Sequence, residues 1–135
     1  MSQMTPTTPR PADVKIRTTA RPLVLFLVTS DPRETHRPAE AIRVAAGLGT
    51  WKKADVRVYL RGPAIRALGE WVDDLMEEDN FTRYLPILRE WGHPIWVQAG
   101  AVDAADLGEA TTPYEAIDDV ELSRRCAEAS SILRF

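Results

Sequence analysis

The side chains of this sequence that react near neutral pH are one thiol and two imidazoles. The thiol belongs to Cys126, and the imidazoles belong to His36 and His93. A thiolate is a nucleophile and a sulfur carrier, whereas a histidine acts as a general acid or base. A single cysteine cannot form an internal disulfide, and two histidines are too few for a metal centre. We therefore predict no metal site.

Cys126 falls on the apolar stripe of a predicted helix, four residues after Leu122 and three before Ala129. This spacing turns the thiol towards the core. The C-terminal end of a helix also raises a thiol pKa, because the negative end of the helix dipole lies there. Free cysteines are usually buried. We therefore expect a structural cysteine, with a reactive one as the alternative.

Strand and helix patterns alternate along nearly the whole chain. Residues 23–28 are apolar on both faces, which is typical of a central strand in a parallel sheet. Further strands are predicted at 55–60, 95–97, 114–117 and 131–135, and helices at about 38–49, 64–68, 80–91, 103–108 and 120–129. An acidic amphipathic turn is predicted at 70–79. Asn80 is predicted to cap the third helix, and Asp118 or Asp119 the last.

This element order predicts a three-layer, flavodoxin-like α/β fold with helices on both faces of the sheet. We expect five mostly parallel strands in the order 2-1-3-4-5, with the switch point between the first and third strands. The alternating polarity of 55–60 predicts a strand nearer the sheet edge. Residues 23–135 form the domain. Residues 1–22 are predicted to be a flexible arm, in which 14–17 stays unassigned.

Ligands of open α/β sheets bind beyond the carboxyl ends of the strands, which places three predicted loops together. These loops are 29–37, 61–62 and 98–101. Their candidate ligand-binding residues are Thr29, Ser30, Asp31, His36, Arg61, Gly62, Gln98 and Gly100, with Arg33, Glu34 and Arg37 nearby. Such a set suits a small polar or anionic ligand. The alternative is that these residues form turns, are solvated, or, for Arg61, pair with an acid on a neighbour.

His36 is the residue of these loops that titrates near neutral pH, so it is the candidate acid–base group. It has no visible partner in the sequence, and the alternative is that it has no catalytic role. His93 precedes a proline at the start of a strand and is predicted at the opposite end of the sheet.

Composition and motifs exclude several classes of function. The formal charge of −3 and the lack of a basic stripe argue against nucleic acid as a partner. No apolar stretch is long enough for a membrane span, so a cytoplasmic location is expected. The loop at 29–37 lacks the glycine of an FMN-phosphate loop, and neither a P-loop nor a dinucleotide fingerprint is present. We predict no cofactor.

Several segments resemble proteins of the DsrE/DsrF-like family, which includes TusD-type sulfur-relay proteins. The resemblance is carried by 23–32, 39–48, 56–64, 92–97 and 127–135. It spans residues 23–135 and implies a flavodoxin-like topology with assembly into trimers or hexamers. The family's persulfide cysteine lies on or just after the third strand. Here that segment, 97–101, contains no cysteine.

The resemblance therefore predicts a DsrE-like domain that lacks the carrier cysteine and serves as a non-catalytic oligomeric partner or scaffold. We expect a homo-oligomer, with another sulfur-relay protein as a further possible partner. Trp71 and Trp91 are candidates for subunit contacts, with partial burial as the alternative. Two other functions stay open: a module that binds a small anion at the strand ends, and a sulfurtransferase that uses Cys126.

Overall fold

The computed structural model describes residues 21–91 and 93–135. Most of the predicted arm, including 14–17, lies outside the described residues, so its boundary at residue 22 stays a prediction. Within the described residues, all five predicted strands are present.

Five strands alternate with helices along the chain. The strands are β1 Leu23–Val28, β2 Asp55–Leu60, β3 Ile95–Gln98, β4 Tyr114–Ile117 and β5 Ser131–Arg134. The α-helices are α1 Arg37–Thr50, α2 Glu78–Glu90, α3 Val102–Ala105 and α4 Asp119–Glu128. Two 3₁₀ helices, Gly62–Leu68 and Val72–Asp74, lie between β2 and α2.

The five strands form one parallel sheet in the order β4-β3-β2-β1-β5. This confirms the α/β class and the flavodoxin-like pattern, in which β1 is second from one edge. The predicted chain order 2-1-3-4-5 is wrong, because β5 takes the edge place beside β1 that was predicted for β2. The predicted switch point between the first and third strands is therefore wrong too, since β1 pairs with β2 and β5. β2 lies between β1 and β3, so its predicted place nearer the edge is also wrong.

The strand order also determines which face each helix covers. Parallel crossovers are right-handed, so the three steps from β1 to β4 put their helices on one face. The return from β4 to β5 runs the other way and puts α4 on the second face. Accordingly, Phe26 and Val58 pack with α1 and α2, whereas Leu25 and Trp96 pack under α4 with Leu122.

The two faces of the sheet are covered by different numbers of helices, and this difference explains the alternating polarity of β2. Val56 and Val58 face the thick helical layer and are buried. Arg57 faces the other side, which in the described part of the chain is covered by α4, and its guanidinium lies 4.8 Å from the centre of the Trp96 ring. The alternating polarity of β2 therefore arises because one face of the sheet has less helical cover, and not because β2 lies at the sheet edge.

The face of α1 that carries small residues makes a close contact with the end of α2. A Cβ atom on Gly49 would lie 2.0 Å from Cη2 of Trp91, so the indole ring occupies the space that a side chain would fill. Ala39, Ile42 and Ala46 on the same helix are buried.

The acidic stretch 70–79 is less helical than predicted. Only Val72–Asp74 forms a short 3₁₀ helix, and Glu77 then adopts a left-handed backbone with φ 58°. α2 begins at Glu78, so Asn80 lies inside the helix and does not cap it. Its side-chain amide instead donates to the carbonyl of Ala39 over 3.4 Å, which ties α2 to α1.

Candidate functional site at the carboxyl ends of the strands

The carboxyl ends of β1, β2 and β3 meet at one edge of the sheet, as their parallel pairing requires. The backbone N–H of Arg61 donates to the carbonyl of Val28 over 2.9 Å. The N–H of Gly62 donates to Oε1 of Gln98 over 3.0 Å. These contacts bring together two of the predicted loops and the end of β1. Ligand binding by them stays a prediction.

Arg61 is held by groups of its own chain. Its Nη1 donates to the Tyr59 hydroxyl and to Oδ1 of Asp119, both over 2.9 Å. The hydrogen bond from Arg61 lowers the pKa of Asp119 below its ordinary value. Asp118 caps α4, as predicted, and its Oδ1 accepts from the N–H of Glu121 over 2.8 Å. The geometry thus corresponds to the alternative in which Arg61 pairs with an acid, here Asp119 of the same chain.

The predicted loop after β1 is a turn centred on Asp31. Its carbonyl accepts from the N–H groups of Glu34 and Thr35, and its Oδ1 accepts from the N–H of Arg33. The Arg33 guanidinium lies 3.0 Å from Oδ2, and this hydrogen bonding lowers the pKa of Asp31. The charge of Arg33 is therefore largely balanced by Asp31.

The other candidates of this loop differ in their surroundings. Thr29 is exposed, and its N–H donates to the carbonyl of Phe135 over 2.9 Å. The Ser30 hydroxyl is buried without a hydrogen-bond partner among the described residues. His36 is exposed at the start of α1 and makes no capping hydrogen bond through its side chain.

Gly100 and His93 lie at opposite ends of β3. Gly100 is exposed with φ 85°, in the turn that follows the strand. His93 lies before β3 and lines a cavity together with Asp55, the first residue of β2. His93 is therefore at the amino end of the sheet, as predicted from its place in the sequence.

Two adjoining cavities open where the first 3₁₀ helix meets α3. One has a volume of about 320 Å3 and the other of about 250 Å3, and Arg66 and Ala105 line both. We call them together the rim cleft. The larger cavity is also lined by Arg33, Trp71, Asp74 and Asp106. Of the eight candidate ligand-binding residues, Gly62 borders the rim cleft, and Arg33 of the predicted loop 29–37 lines its larger cavity.

Arg66 is the residue of this region that sequence reasoning missed. It is half-buried, and its Nη1 donates to the carbonyl of Ala105 over 3.2 Å. Its Nε is buried with no partner among the described residues. The signal in the sequence was a single arginine within the otherwise apolar segment 64–68, because burying a guanidinium is costly unless it is paired.

Cys126 lies on the other side of the sheet from the rim cleft. It packs beside Leu25, Tyr59 and Trp96 under α4, whereas Leu75 and Ala105 of the cleft belong to the core on the opposite face. The prediction that Cys126 faces the core is confirmed. It is half-buried and not fully enclosed.

Among residues 21–91 and 93–135, no group of three or more histidine, cysteine, aspartate or glutamate side chains is arranged to hold a metal ion.

None of the helices in the described part of the chain combines the length and the apolar character that crossing a bilayer requires.

The five-stranded parallel sheet, with helices on both faces, defines an α/β protein with a flavodoxin-like fold. A solved structure similar to this chain is that of the YchN protein from E. coli, a protein with a DsrE/TusD-like fold. The TM-score is 0.70 and the sequence identity 19%, over 86% of this chain and 99% of the YchN chain. No family model matches the sequence, and no curated protein matches it. The likeness therefore establishes the fold.

Proposed function

We propose that this chain is a DsrE-like domain that does not carry persulfide sulfur and acts as a non-catalytic partner in a homo-oligomeric assembly. The observation that carries the proposal is the composition of the turn after β3. The resemblance places the carrier cysteine there, and this chain has Gln98, Ala99, Gly100 and Ala101. A persulfide requires a thiol, so this turn cannot supply the carrier group.

The position of Cys126 supports the same proposal. A sulfur carrier needs an accessible thiolate, favoured by a nearby cation or the N-terminus of a helix. Cys126 lies near the C-terminal end of α4 and packs half-buried against the sheet. Cys126 and the rim cleft lie on opposite faces of the sheet. A sulfurtransferase that uses Cys126 is therefore the less favoured alternative.

Exposed aromatic side chains support the oligomeric part of the proposal. Trp51 is 64% exposed and Trp71 is 49% exposed. Large aromatic side chains at the surface are typical of subunit contacts. Trp91 is half-buried against Gly49, which supports partial burial for that residue. We propose a trimer or hexamer, in the cytoplasm, with another sulfur-relay protein as a further partner.

A second candidate function is the binding of a small ligand at the carboxyl ends of the strands. The rim cleft supports it, because its larger cavity of about 320 Å3 is within the range of small-molecule sites. This candidate is compatible with an oligomeric partner that has no chemistry of its own.

Sulfur labelling of the full-length protein tests the absence of a carrier thiol. The purified chain is incubated with radiolabelled polysulfide, a sulfane-sulfur donor, and separated without reductant. We expect no more label on the native chain than on Cys126→Ala. The positive comparator is the double variant Ala99→Cys, Cys126→Ala, which restores a thiol in the exposed turn after β3. Label on the native chain that Cys126→Ala abolishes would instead establish a sulfur carrier.

Light scattering coupled to size exclusion tests the assembly. We expect a trimer or a larger species at micromolar concentration, and Trp71→Ser is expected to shift it towards smaller species if Trp71 is a subunit contact. Glu109→Ser, an exposed position in the same region, is the matched control. A stable monomer would rule out the oligomeric partner.

A further inference from the structure

The larger cavity of the rim cleft combines cationic, anionic and aromatic side chains in one small volume. Arg33 and Arg66 supply two positive charges, Asp74 and Asp106 two negative charges, and Trp71 an indole ring. We propose that this cavity binds the zwitterion of an aromatic amino acid. Arg66 holds the carboxylate, Asp74 and Asp106 hold the ammonium group, and Trp71 contacts the side chain.

Arg66 is the cation with hydrogen-bonding capacity to spare. A guanidinium has five N–H donors, and Arg66 uses one of them on the carbonyl of Ala105. Arg66 lines both cavities of the rim cleft. A planar guanidinium suits a carboxylate, because two parallel hydrogen bonds match the two oxygens.

The carboxylates of Asp74 and Asp106 favour a ligand that carries a positive group. The positive charge of Arg33 is balanced by Asp31 at 3.0 Å. Asp74 and Asp106 have no cation within 4.0 Å among residues 21–91 and 93–135. The cavity therefore offers one unbalanced cation and two carboxylates. A doubly charged anion such as phosphate would be repelled by them, whereas an ammonium group would be attracted.

Trp71 forms a fixed wall of the cavity. A Cβ atom on Gly108 would lie 2.6 Å from Cη2 of the Trp71 ring, so the backbone at Gly108 packs directly against the indole. Trp71 as a whole is about half exposed. An aromatic side chain of the ligand can stack on it or meet it edge to face, which adds affinity beyond simple burial.

Calorimetric titration of the full-length protein with three related probes tests the charge assignment. L-phenylalanine carries both charged groups, 3-phenylpropionate lacks the ammonium group, and phenethylamine lacks the carboxylate. We expect L-phenylalanine to bind about tenfold more tightly than either analogue, because each lost charge-assisted hydrogen bond costs about that factor. Inorganic phosphate should not displace it.

Matched variants test the residues. Arg66→Gln keeps a donor for the Ala105 carbonyl and is expected to weaken L-phenylalanine binding about tenfold. Asp106 has φ 53°, a conformation that asparagine also tolerates, so the pair Asp74→Asn, Asp106→Asn removes charge while preserving the backbone. Arg43→Gln removes an arginine far from the cleft and should bind like the native chain. Thermal melts of each variant confirm folding.

The proposal is overturned if L-phenylalanine does not bind, if 3-phenylpropionate binds as tightly, or if phosphate competes with it. It is equally overturned if Arg66→Gln folds and binds L-phenylalanine with native affinity. The labelling test does not involve the rim cleft. The light-scattering test substitutes Trp71, which lines the cleft, but it measures the oligomeric state and not the binding of L-phenylalanine, so the two proposals can fail separately.

Discussion

Arg61 joins the end of β2 to the first turn of α4, where its Nη1 lies 2.9 Å from Oδ1 of Asp119. The two residues are 58 positions apart in the sequence. The same guanidinium nitrogen contacts the Tyr59 hydroxyl, which belongs to the core under α4. This contact therefore ties β2 to α4, which among the described residues is the α-helix that covers the second face of the sheet.

Because of the ion pair between Arg61 and Asp119, we expect the native chain and the variant Asp119→Asn to differ in stability by an amount that depends on pH. The hydrogen bond from Arg61 lowers the pKa of Asp119 below its ordinary value of 3.8. A lowered pKa in the folded state stabilises the protein above that ordinary value, and the contribution disappears as the pH falls through the folded pKa. Asp119→Asn should therefore be slightly less stable than the native chain near neutral pH.

Urea denaturation from neutral to strongly acidic pH measures this effect. The native chain and Asp119→Asn should converge at the acidic end. Asp103→Asn, an exposed aspartate in α3 without an ion pair among the described residues, is the control. A difference that persists unchanged at low pH would contradict the role of the Asp119 charge.

Tyr59 should remain un-ionised well into alkaline conditions. Burial raises the pKa of its hydroxyl above the ordinary value of 10.0. A raised folded-state pKa means that the associated stability is present below the ordinary value and is lost as the pH rises through the folded pKa. Ultraviolet titration should thus show one of the three tyrosines ionising later than the others. Tyr59→Phe should abolish that late phase, and its persistence would contradict the assignment.

Substitution by alanine should change the free energy of unfolding in opposite directions at Gly49 and at Gly47 of α1. A Cβ on Gly49 would overlap the Trp91 ring at 2.0 Å, whereas nothing lies within 4 Å of one on Gly47. We expect Gly49→Ala to lower the free energy of unfolding by about 1–3 kcal/mol. Gly47→Ala should raise it by about 0.5–1 kcal/mol, because alanine favours the helix. Chemical denaturation followed by circular dichroism measures both, and equal effects would contradict the packing.

Gln98 should stabilise the loop ends through its side-chain oxygen. Its Oε1 accepts from the N–H of Gly62 over 3.0 Å, at a residue with φ 58°. Gln98→Leu leaves that N–H without its partner and should cost about 1–3 kcal/mol of unfolding free energy. Gln98→Glu keeps an acceptor and should cost less. Equal losses in the two variants, measured by urea denaturation, would show that the acceptor is unimportant.

Local sequence patterns predicted a strand or a helix end correctly where a single feature, such as a continuous apolar run or a capping side chain, was present. Leu23–Val28 is apolar throughout, and Asp118 precedes a helix with a side chain that caps it, so both were confirmed. The acidic stretch before α2 was harder. Its four apolar residues matched a helical turn, but the backbone reverses at Glu77, and no local pattern marked that residue for a positive φ.

The candidate site could be predicted only in part. Parallel strands place their carboxyl ends together, so the contact between Gly62 and Gln98 followed from the sheet. The rim cleft could not be predicted from the sheet, because its position depends on how the first 3₁₀ helix packs against α3. The sequence shows that Arg66 is a lone arginine in an apolar segment, but nothing in the sequence indicates that it contacts the carbonyl of Ala105.

The sequence by itself determined that this chain alternates strands with helices and that no cysteine follows the third strand. Both are properties of neighbouring residues, set by periodicity and by residue type. Only the tertiary structure decided that β5 returns to the far side of β1, that α4 covers the second face, and that Arg61 meets Asp119. The physical reason is that strand order depends on which crossovers bury the most apolar surface together, and that sum involves residues distant in the chain.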